Sequence, residues 1–133
     1  MSQQLSTVGS FFISFMDLSK PLHWVKIFSS LRAAEDAIEL GFGKTVYLKK
    51  YDLRIALIRG MKGWLACQDN CPHRGVSLGT GWVNEANEIV CPLHHYAWSL
   101  DTGRETTNFR CSDVILYPVK TNAEGLFIGL VIH

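Results

Sequence analysis

The sequence has no run of like charge and no long apolar stretch. Lys and Arg together number 13 and Asp and Glu number 12, so the formal net charge is only +1. Nucleic-acid-binding domains typically show a basic patch or stripe, and none is visible here. A membrane-spanning helix needs about 18 consecutive apolar residues, and no segment approaches that length. We therefore expect neither a nucleic-acid partner nor a membrane span.

We also expect no secretory signal. The first residues, MSQQ, carry no basic side chain, and the apolar stretch from Val8 to Met16 is short and interrupted by Gly and Ser. We therefore expect a cytoplasmic protein, in which thiols stay reduced. In such a compartment, clustered Cys and His residues indicate metal ligands rather than disulfides. The chain has four cysteines, Cys67, Cys71, Cys91 and Cys111.

The length and composition suit one globular domain. The chain has 133 residues, of which 47% are apolar and 19% are charged, so it can form a core without covalent staples. Residues 1–20 form an apolar N-terminal extension that contains Phe11, Phe12 and Phe15. These side chains either pack on the domain's own surface or contact another subunit. We expect the domain itself to span residues 21–133.

Short strands dominate the predicted secondary structure. Segments rich in β-branched and aromatic residues alternate with Gly, Asn and Asp turns. The one helix candidate begins at Ser29 or Ser30 and runs to about Leu40, before Gly41 and Gly43. The pattern predicts an all-β sandwich or barrel. The expected strands are Leu22–Phe28, Thr45–Lys49, Leu53–Arg59, Trp64–Gln68, Gly81–Val83, Glu88–Cys91, Tyr96–Leu100, Val114–Val119 and Gly125–Ile132.

Two Cys/His pairs are the candidate metal ligands. The chain reads Cys71-x-His73, then seventeen residues, then Cys91-x-x-His94, and each pair lies at the tip of a predicted hairpin. Thiolates bind ferric iron strongly, and neutral imidazoles on a second iron make the site less negative and raise its potential. Two Cys and two His also suit tetrahedral zinc, although zinc fingers place the two cysteines together and then the two histidines. A purely structural role for the metal is a further alternative.

The ligand pattern resembles the Rieske [2Fe-2S] signature of ring-hydroxylating oxygenases and their ferredoxins. The match consists of CPHRG at 71–75, CPLH at 91–94 and Asp101-x-Gly103, within a resemblance over roughly residues 22–131. It implies one [2Fe-2S] cluster per chain, with Cys71 and Cys91 on one iron and the Nδ1 atoms of His73 and His94 on the other. The implied fold is a Rieske-type antiparallel β-sandwich with a small two-loop cluster-binding subdomain and at most one short helix.

The resemblance implies a one-electron carrier. The expected role is that of a ferredoxin passing electrons from a flavin reductase to a terminal oxygenase. The alternative is a non-catalytic Rieske subunit or fragment of a multicomponent oxidoreductase, either an oxygenase or a nitrite-reductase-like enzyme. Outside the motif only His23, His95 and His133 remain, and they are too scattered for the facial triad of an oxygenase. With no nucleotide-binding glycine motif either, we expect an electron-transfer component rather than a complete enzyme.

Several residues near the motif depart from the family pattern or lack a role in it. His95 stands where the family usually has Gly, and His is one of the few residues that tolerates positive φ. Together with Arg74 and Arg104, it could make the docking face mildly basic. Cys67 and Cys111 are expected to be small buried residues, with a disulfide between them as the alternative. Trp82 and Trp98 are expected to cover the cluster and fill the core.

Four positions predict a low reduction potential. Respiratory-chain Rieske proteins have a disulfide where this chain has Val76 and Leu93, and hydrogen-bonding Ser and Tyr where it has Tyr96 and Trp98. Fewer hydrogen bonds to sulfur leave the more negative, reduced cluster less stabilised. We expect a midpoint potential of roughly −150 mV, near the low end of the Rieske range. A redox titration monitored by EPR measures it, and a clearly positive value would contradict the prediction.

Overall fold

The computed structural model describes residues 21–109 and 111–131, most of which lie in short antiparallel strands. These residues form ten strands, one α-helix and two single turns of 3₁₀ helix at Lys49–Tyr51 and Leu78–Thr80. In chain order the elements are β1 (Leu22–Phe28), α1 (Leu31–Ala37), β2 (Gly43–Leu48), β3 (Leu53–Gly60), β4 (Gly63–Gln68), β5 (Trp82–Val83), β6 (Glu88–Val90), β7 (Ala97–Ser99), β8 (Leu116–Tyr117), β9 (Val119–Asn122) and β10 (Gly125–Val131).

The chain divides into two compact units, Met1–Ala37 with Tyr117–His133, and Ile38–Leu116. The described part of the first unit contains an antiparallel sheet in the order β1-β10-β9, with α1 in contact with β1 and β10. Leu126 and Ile128 of the central strand β10 are fully buried. At the start of α1 the hydroxyl oxygen of Ser30 accepts a hydrogen bond from the backbone N–H of Ala33 at 3.0 Å. This N-cap confirms one of the two serines expected to begin the helix.

The second unit contains the two predicted ligand loops. Its larger sheet has the strand order β2-β3-β4-β8, and its smaller sheet has the order β5-β6-β7. The four residues 55–58 in the central strand β3 are fully buried, which is typical of a strand covered on both faces. The first ligand segment lies between β4 and β5, and the second lies between β6 and β7. Both segments therefore start directly beyond a strand that is hydrogen-bonded into a sheet.

The segment predicted as one strand, Val114–Val119, is two strands that belong to different sheets. β8 ends at Tyr117 and belongs to the larger sheet of the second unit, whereas β9 begins at Val119 and pairs with β10. Pro118 separates the two strands because proline has no N–H to donate to a sheet. Its carbonyl oxygen still accepts a hydrogen bond from the N–H of Gly129 at 2.9 Å. A proline within an apolar run marks the point where the chain changes sheets.

The helix is shorter than predicted. It ends at Ala37 instead of near Leu40, because the following backbone bonds to strand β3. The carbonyl of Ile38 accepts a hydrogen bond from the Arg59 side chain at 3.1 Å, and the N–H of Gly41 donates to the Arg59 carbonyl at 2.7 Å. Tertiary hydrogen bonds therefore replace the last helical turn.

The predicted all-β class with at most one short helix is confirmed. No sheet formed by residues 21–109 and 111–131 closes into a barrel, so the barrel alternative is wrong. The predicted N-terminal extension, residues 1–20, lies outside the described residues. Within the described part of the chain, no helix is long and apolar enough to cross a membrane.

Candidate metal centre

The two predicted ligand segments have the same backbone hydrogen-bonding pattern. In loop 1, residues 71–76, the N–H of Cys71 donates to the carbonyl of Val76 at 2.9 Å, and the N–H of Gly75 donates to the carbonyl of Cys71 at 2.7 Å. In loop 2, residues 91–96, the equivalent bonds run from Cys91 to Tyr96 at 2.8 Å and from His95 to Cys91 at 3.0 Å. Each loop is thus a closed turn that begins at the cysteine, although the histidine comes one position later in loop 2.

The fifth residue of each loop has a left-handed backbone conformation. Gly75 has φ +72° and His95 has φ +61°. Glycine adopts this conformation without a steric penalty, whereas a side chain with a Cβ costs about 1–2 kcal/mol there. His95 thus has the left-handed conformation that His is one of the few non-glycine residues to tolerate. Its ring meets the edge of Trp82, with the ring centroids 5.3 Å apart.

The loops bring the four predicted ligands together in two pairs. Cys71 and Cys91 are buried, and their thiols lie within hydrogen-bonding reach of each other. The imidazole rings of His73 and His94 have centroids 5.0 Å apart and are tilted by 55°. The two loops therefore bring together cysteines twenty positions apart and histidines twenty-one positions apart in the sequence.

One imidazole nitrogen points into the protein without a partner. Nδ1 of His73 is buried and has no hydrogen-bond partner. A buried polar atom is normally satisfied, so an orphaned one calls for a ligand or an ion. The pKa of His73 is lowered, first by burial and then by the nearby His94 and Arg74, which keeps the ring neutral and its lone pair available. Nδ1 is also the atom that the family resemblance assigns to iron, so the residues present fit the cluster.

The thiol of Cys71 lies in a mixed environment. Burial raises its pKa, and the neighbouring Cys91 thiol raises it further. The backbone N–H groups of Arg74 and His73 act in the opposite direction, because they donate hydrogen bonds to this sulfur. Loop 1 thus offers N–H donors that would stabilise a thiolate, while the apolar surroundings leave that thiolate short of charge compensation. A bound metal ion would supply the missing positive charge and favour the thiolate form of Cys71.

Zinc is the alternative occupant of a set of two Cys and two His. Tetrahedral zinc needs three or four donors around one point. Among residues 21–109 and 111–131, no group of three or more Cys, His, Asp or Glu side chains has this arrangement. The thiol pair and the imidazole pair are the two donor pairs that the family resemblance implies for two irons.

A buried carboxylate, which the sequence analysis missed, anchors loop 1. Asp69 is fully buried two residues before Cys71. Its Oδ1 accepts hydrogen bonds from the Thr45 hydroxyl at 2.9 Å, the Ser77 hydroxyl at 2.8 Å and the Gly79 N–H at 2.9 Å. Its Oδ2 accepts two more from Nε and Nη2 of Arg54, at 3.2 and 2.9 Å. These bonds tie strands β2 and β3 to both ends of the first ligand segment.

The hydrogen bonds around Asp69 keep it charged. Burial by itself raises the pKa of this carboxyl, but the bonds from Ser77, Gly79, Thr45 and Arg54 outweigh that effect, so the pKa is lowered. The sequence signal was a single Asp at the end of an apolar strand, which is equally typical of an exposed turn. A buried Asp69 can be told from an exposed one only by the positions of its hydrogen-bond partners, which lie up to 24 residues away in the sequence.

The remaining predicted residues have mixed outcomes. All four cysteines are free, so the disulfide alternative for Cys67 and Cys111 is wrong. Cys67 is buried as predicted, whereas Cys111 is half-exposed and the prediction of burial is wrong. Trp98 fills the core as predicted, and its indole N–H donates to the Ser112 carbonyl at 2.9 Å. Trp82 is half-buried beside loop 2.

The chain is thus an all-β protein with a candidate binuclear metal centre. Two loops with matching hydrogen bonds form this centre, and they carry its thiols and imidazoles at the ends of antiparallel strands. The chain belongs to the Rieske [2Fe-2S] domain family, whose sequence model matches residues 31–118. That stretch includes both ligand loops. The cofactor of this family is a Rieske [2Fe-2S] cluster, as the resemblance predicted.

Known proteins similar to this chain include ferredoxins and oxygenases. The 3-phenylpropionate/cinnamic acid dioxygenase ferredoxin subunit of Shigella boydii serotype 4 (strain Sb227) is 29% identical over 76 residues, which are 57% of this chain and 72% of that protein. A ferredoxin solved in a complex of reduced oxygenase and oxidized ferredoxin in carbazole 1,9a-dioxygenase has a TM-score of 0.65 and 20% identity, over 79% of this chain and 91% of that chain.

The same fold also occurs within a larger enzyme. The terminal oxygenase of carbazole 1,9a-dioxygenase from Nocardioides aromaticivorans IC177 has a TM-score of 0.65 and 21% identity, over 84% of this chain but only 30% of that chain. At this level of identity the structural likeness establishes the fold alone. A stand-alone ferredoxin and a domain of an oxygenase therefore have the same architecture.

The carboxylate of Asp69 is expected to stabilise the fold. Replacing it in Asp69→Asn should lower the free energy of unfolding by about 2–3 kcal/mol, since hydrogen bonds to charged groups contribute about 1.5–3 kcal/mol. The new amide would also direct N–H groups toward other donors. Urea denaturation measures the change. As a matched control, Asp52→Asn alters an exposed carboxylate that accepts one bond from Tyr47 and should change stability by less than about 0.5 kcal/mol. Equal effects of the two substitutions would contradict this prediction.

The left-handed conformation of His95 gives a second stability prediction. His95→Val should lower the free energy of unfolding by about 1–2 kcal/mol, because a β-branched residue is strained at positive φ. His95→Gly should leave stability unchanged or raise it, because glycine removes the strain. Both variants lose the contact with Trp82, so their difference in urea denaturation isolates the backbone effect. Indistinguishable stabilities would refute the assignment of strain.

Proposed function

We propose that this protein is a one-electron carrier, the ferredoxin component of an oxygenase system, and that Cys71, His73, Cys91 and His94 hold its Rieske cluster. The observation that carries the proposal is the pairing of two thiols and two imidazoles by matched loops in a chain of the Rieske family. When bound, a Rieske cluster supplies a one-electron redox couple. The side chains and backbone around the cluster must hold it in place and give the electron a path to the surface.

Each ligand pair has a distinct task in this proposal. Cys71 and Cys91, which are both buried, would bind one iron through sulfur, and the N–H groups of His73 and Arg74 donate to the Cys71 sulfur. His73 and His94 would bind the other iron through Nδ1. Because His94 is exposed, its ring edge lies at the surface and offers an electron a short path to a docked partner.

The proposed partners are a terminal oxygenase as electron acceptor and a flavin reductase as electron donor. The oxygenase is supported by the related ferredoxin subunit of a dioxygenase and by the similar ferredoxin solved together with its oxygenase. The reductase follows from the same division of labour, since the chain shows no nucleotide-binding glycine motif. Exposed Arg74, His95 and Arg104 give the ligand-loop region basic groups, which favours an acidic docking face on the partner.

We further propose that residues 21–133 act together as the Rieske domain and that residues 1–20 are an extension to it. A cytoplasmic location stays a prediction. The four free thiols are compatible with a reducing compartment.

A second candidate is a non-catalytic Rieske subunit or part of a larger oxidoreductase. The observation in its favour is the equally good structural match to the Rieske portion of a terminal oxygenase. The two candidates differ in how they meet their partner. A carrier binds transiently and is purified as a free chain, whereas a subunit is purified in a stable stoichiometric complex with a catalytic chain.

The ligand assignment predicts the spectrum of the protein and of its variants. The purified chain should contain iron and inorganic sulfide in equal amounts, and the dithionite-reduced protein should give the rhombic EPR signal of mixed His/Cys ligation. Cys71→Ser and His73→Ala should each abolish this signal, because each removes one of the four ligands.

The matched control is Cys67→Ala, which changes a buried cysteine of strand β4 outside both ligand loops and should retain the signal. A colourless, EPR-silent protein containing zinc would refute the proposal. Retention of the Rieske signal in His73→Ala would refute the ligand assignment.

A further inference from the structure

The two histidines of the site have very different surroundings. His94 is exposed, whereas His73 is half-buried and one face of its ring is covered by Tyr96. The ring centroids of His73 and Tyr96 are 4.0 Å apart and their planes differ by only 6°, so the rings are stacked. The phenol therefore lies parallel to one imidazole and leaves the other open to solvent.

A third aromatic ring holds Tyr96 against His73. Phe109 contacts Tyr96, with ring centroids 4.3 Å apart, although 53% of Phe109 is exposed. A phenylalanine side chain is usually buried, because burial removes its apolar surface from water. The exposed position of Phe109 therefore indicates that its backbone holds it there. Ring contacts therefore run from exposed Phe109 through Tyr96 to His73; the Phe109 and Tyr96 planes are tilted by 37°, whereas Tyr96 and His73 are stacked.

Several hydrogen bonds fix the backbone around Phe109. We name residues 104–109 and 111–113 the cover loop. The carboxylate of Glu105 accepts hydrogen bonds from the N–H groups of Thr107 at 2.7 Å and Phe109 at 3.3 Å. The N–H of Thr106 donates to the Ala97 carbonyl at 2.9 Å, directly beyond Tyr96. The cover loop and loop 2 are therefore joined at the residue that follows the stacked tyrosine.

We propose that Tyr96, supported by Phe109, is a positioning residue for the cluster. The inference rests on the proposed ligand role of His73. A ring stacked on one face of the imidazole restricts its rotation and keeps Nδ1 directed into the protein, where it is buried. The same ring excludes water from one side of His73. Groups that orient a metal ligand affect metal retention and redox potential without binding the metal themselves.

Replacing the stacked ring of Tyr96 should change properties of the cluster that a loss of folding stability would not change. In the iron-loaded protein, Tyr96→Leu should lose iron to a chelator roughly tenfold faster than the unmodified protein. Its midpoint potential should rise, because water admitted beside His73 stabilises the more negative, reduced state. The electron–nuclear couplings of the ligand nitrogens should also change. Tyr96→Phe keeps the stacked ring and should match the unmodified protein in all three measurements.

Phe109→Leu, which leaves Tyr96 in place, should shift the same three measurements in the same direction by less. It also provides a readout if Tyr96→Leu does not take up the cluster. The matched control is Tyr47→Leu, which makes the same change at an exposed tyrosine of strand β2 and should affect none of them. The inference is wrong if Tyr96→Leu or Phe109→Leu retains the nitrogen couplings and the potential of the unmodified protein. If the unmodified protein gives no Rieske signal, the proposed function fails instead.

Discussion

The geometry of loop 1 depends on a single buried charge. A carboxylate removed from water is costly unless its lone pairs are satisfied, and Asp69 meets this condition with five hydrogen bonds. Three partners bind one oxygen and Arg54 binds the other, so the carboxylate can occupy only one orientation. Loop 1 begins at Cys71, two residues after Asp69, so the fixed carboxylate also fixes the position of Cys71. Strands β2 and β3 thereby determine the position of a ligand that neither of them carries.

A second constraint comes from the loops themselves. Each loop forms a hydrogen-bonded turn that begins at its cysteine, and the fifth residue of each turn has a left-handed backbone conformation. Gly75 adopts this conformation without strain, whereas His95 adopts it with some strain. The two closed turns place a pair of buried thiols beside a pair of imidazoles. Because His73 is half-buried and His94 is exposed, the proposed site has one sheltered ligand and one accessible ligand. This asymmetry suits a carrier, which must retain its cofactor yet exchange electrons at its surface.

The metal chemistry and the strand pattern could be predicted from the sequence because both are local. Residue types and short spacings identify Cys71, His73, Cys91 and His94, and hairpin signals identify the strands that hold them. The sequence shows only that His95 tolerates a positive φ, and the closed turn of loop 2 imposes it. Predictions from the sequence were wrong where one residue responds to distant ones: at Pro118, where the chain changes sheets, and after Ala37, where bonds to Arg59 end the helix.

The sequence by itself therefore determined that two Cys/His pairs of suitable chemistry lie on loops between strands. The tertiary structure decided how these proposed ligands are held. Thr45 and Asp69 are 24 residues apart, and no local pattern links them. Likewise, nothing in the order of residues places Phe109 on Tyr96 and Tyr96 on His73. Hydrogen bonds and ring contacts of this kind form only after the sheets have assembled, because packing brings together side chains that the chain keeps apart.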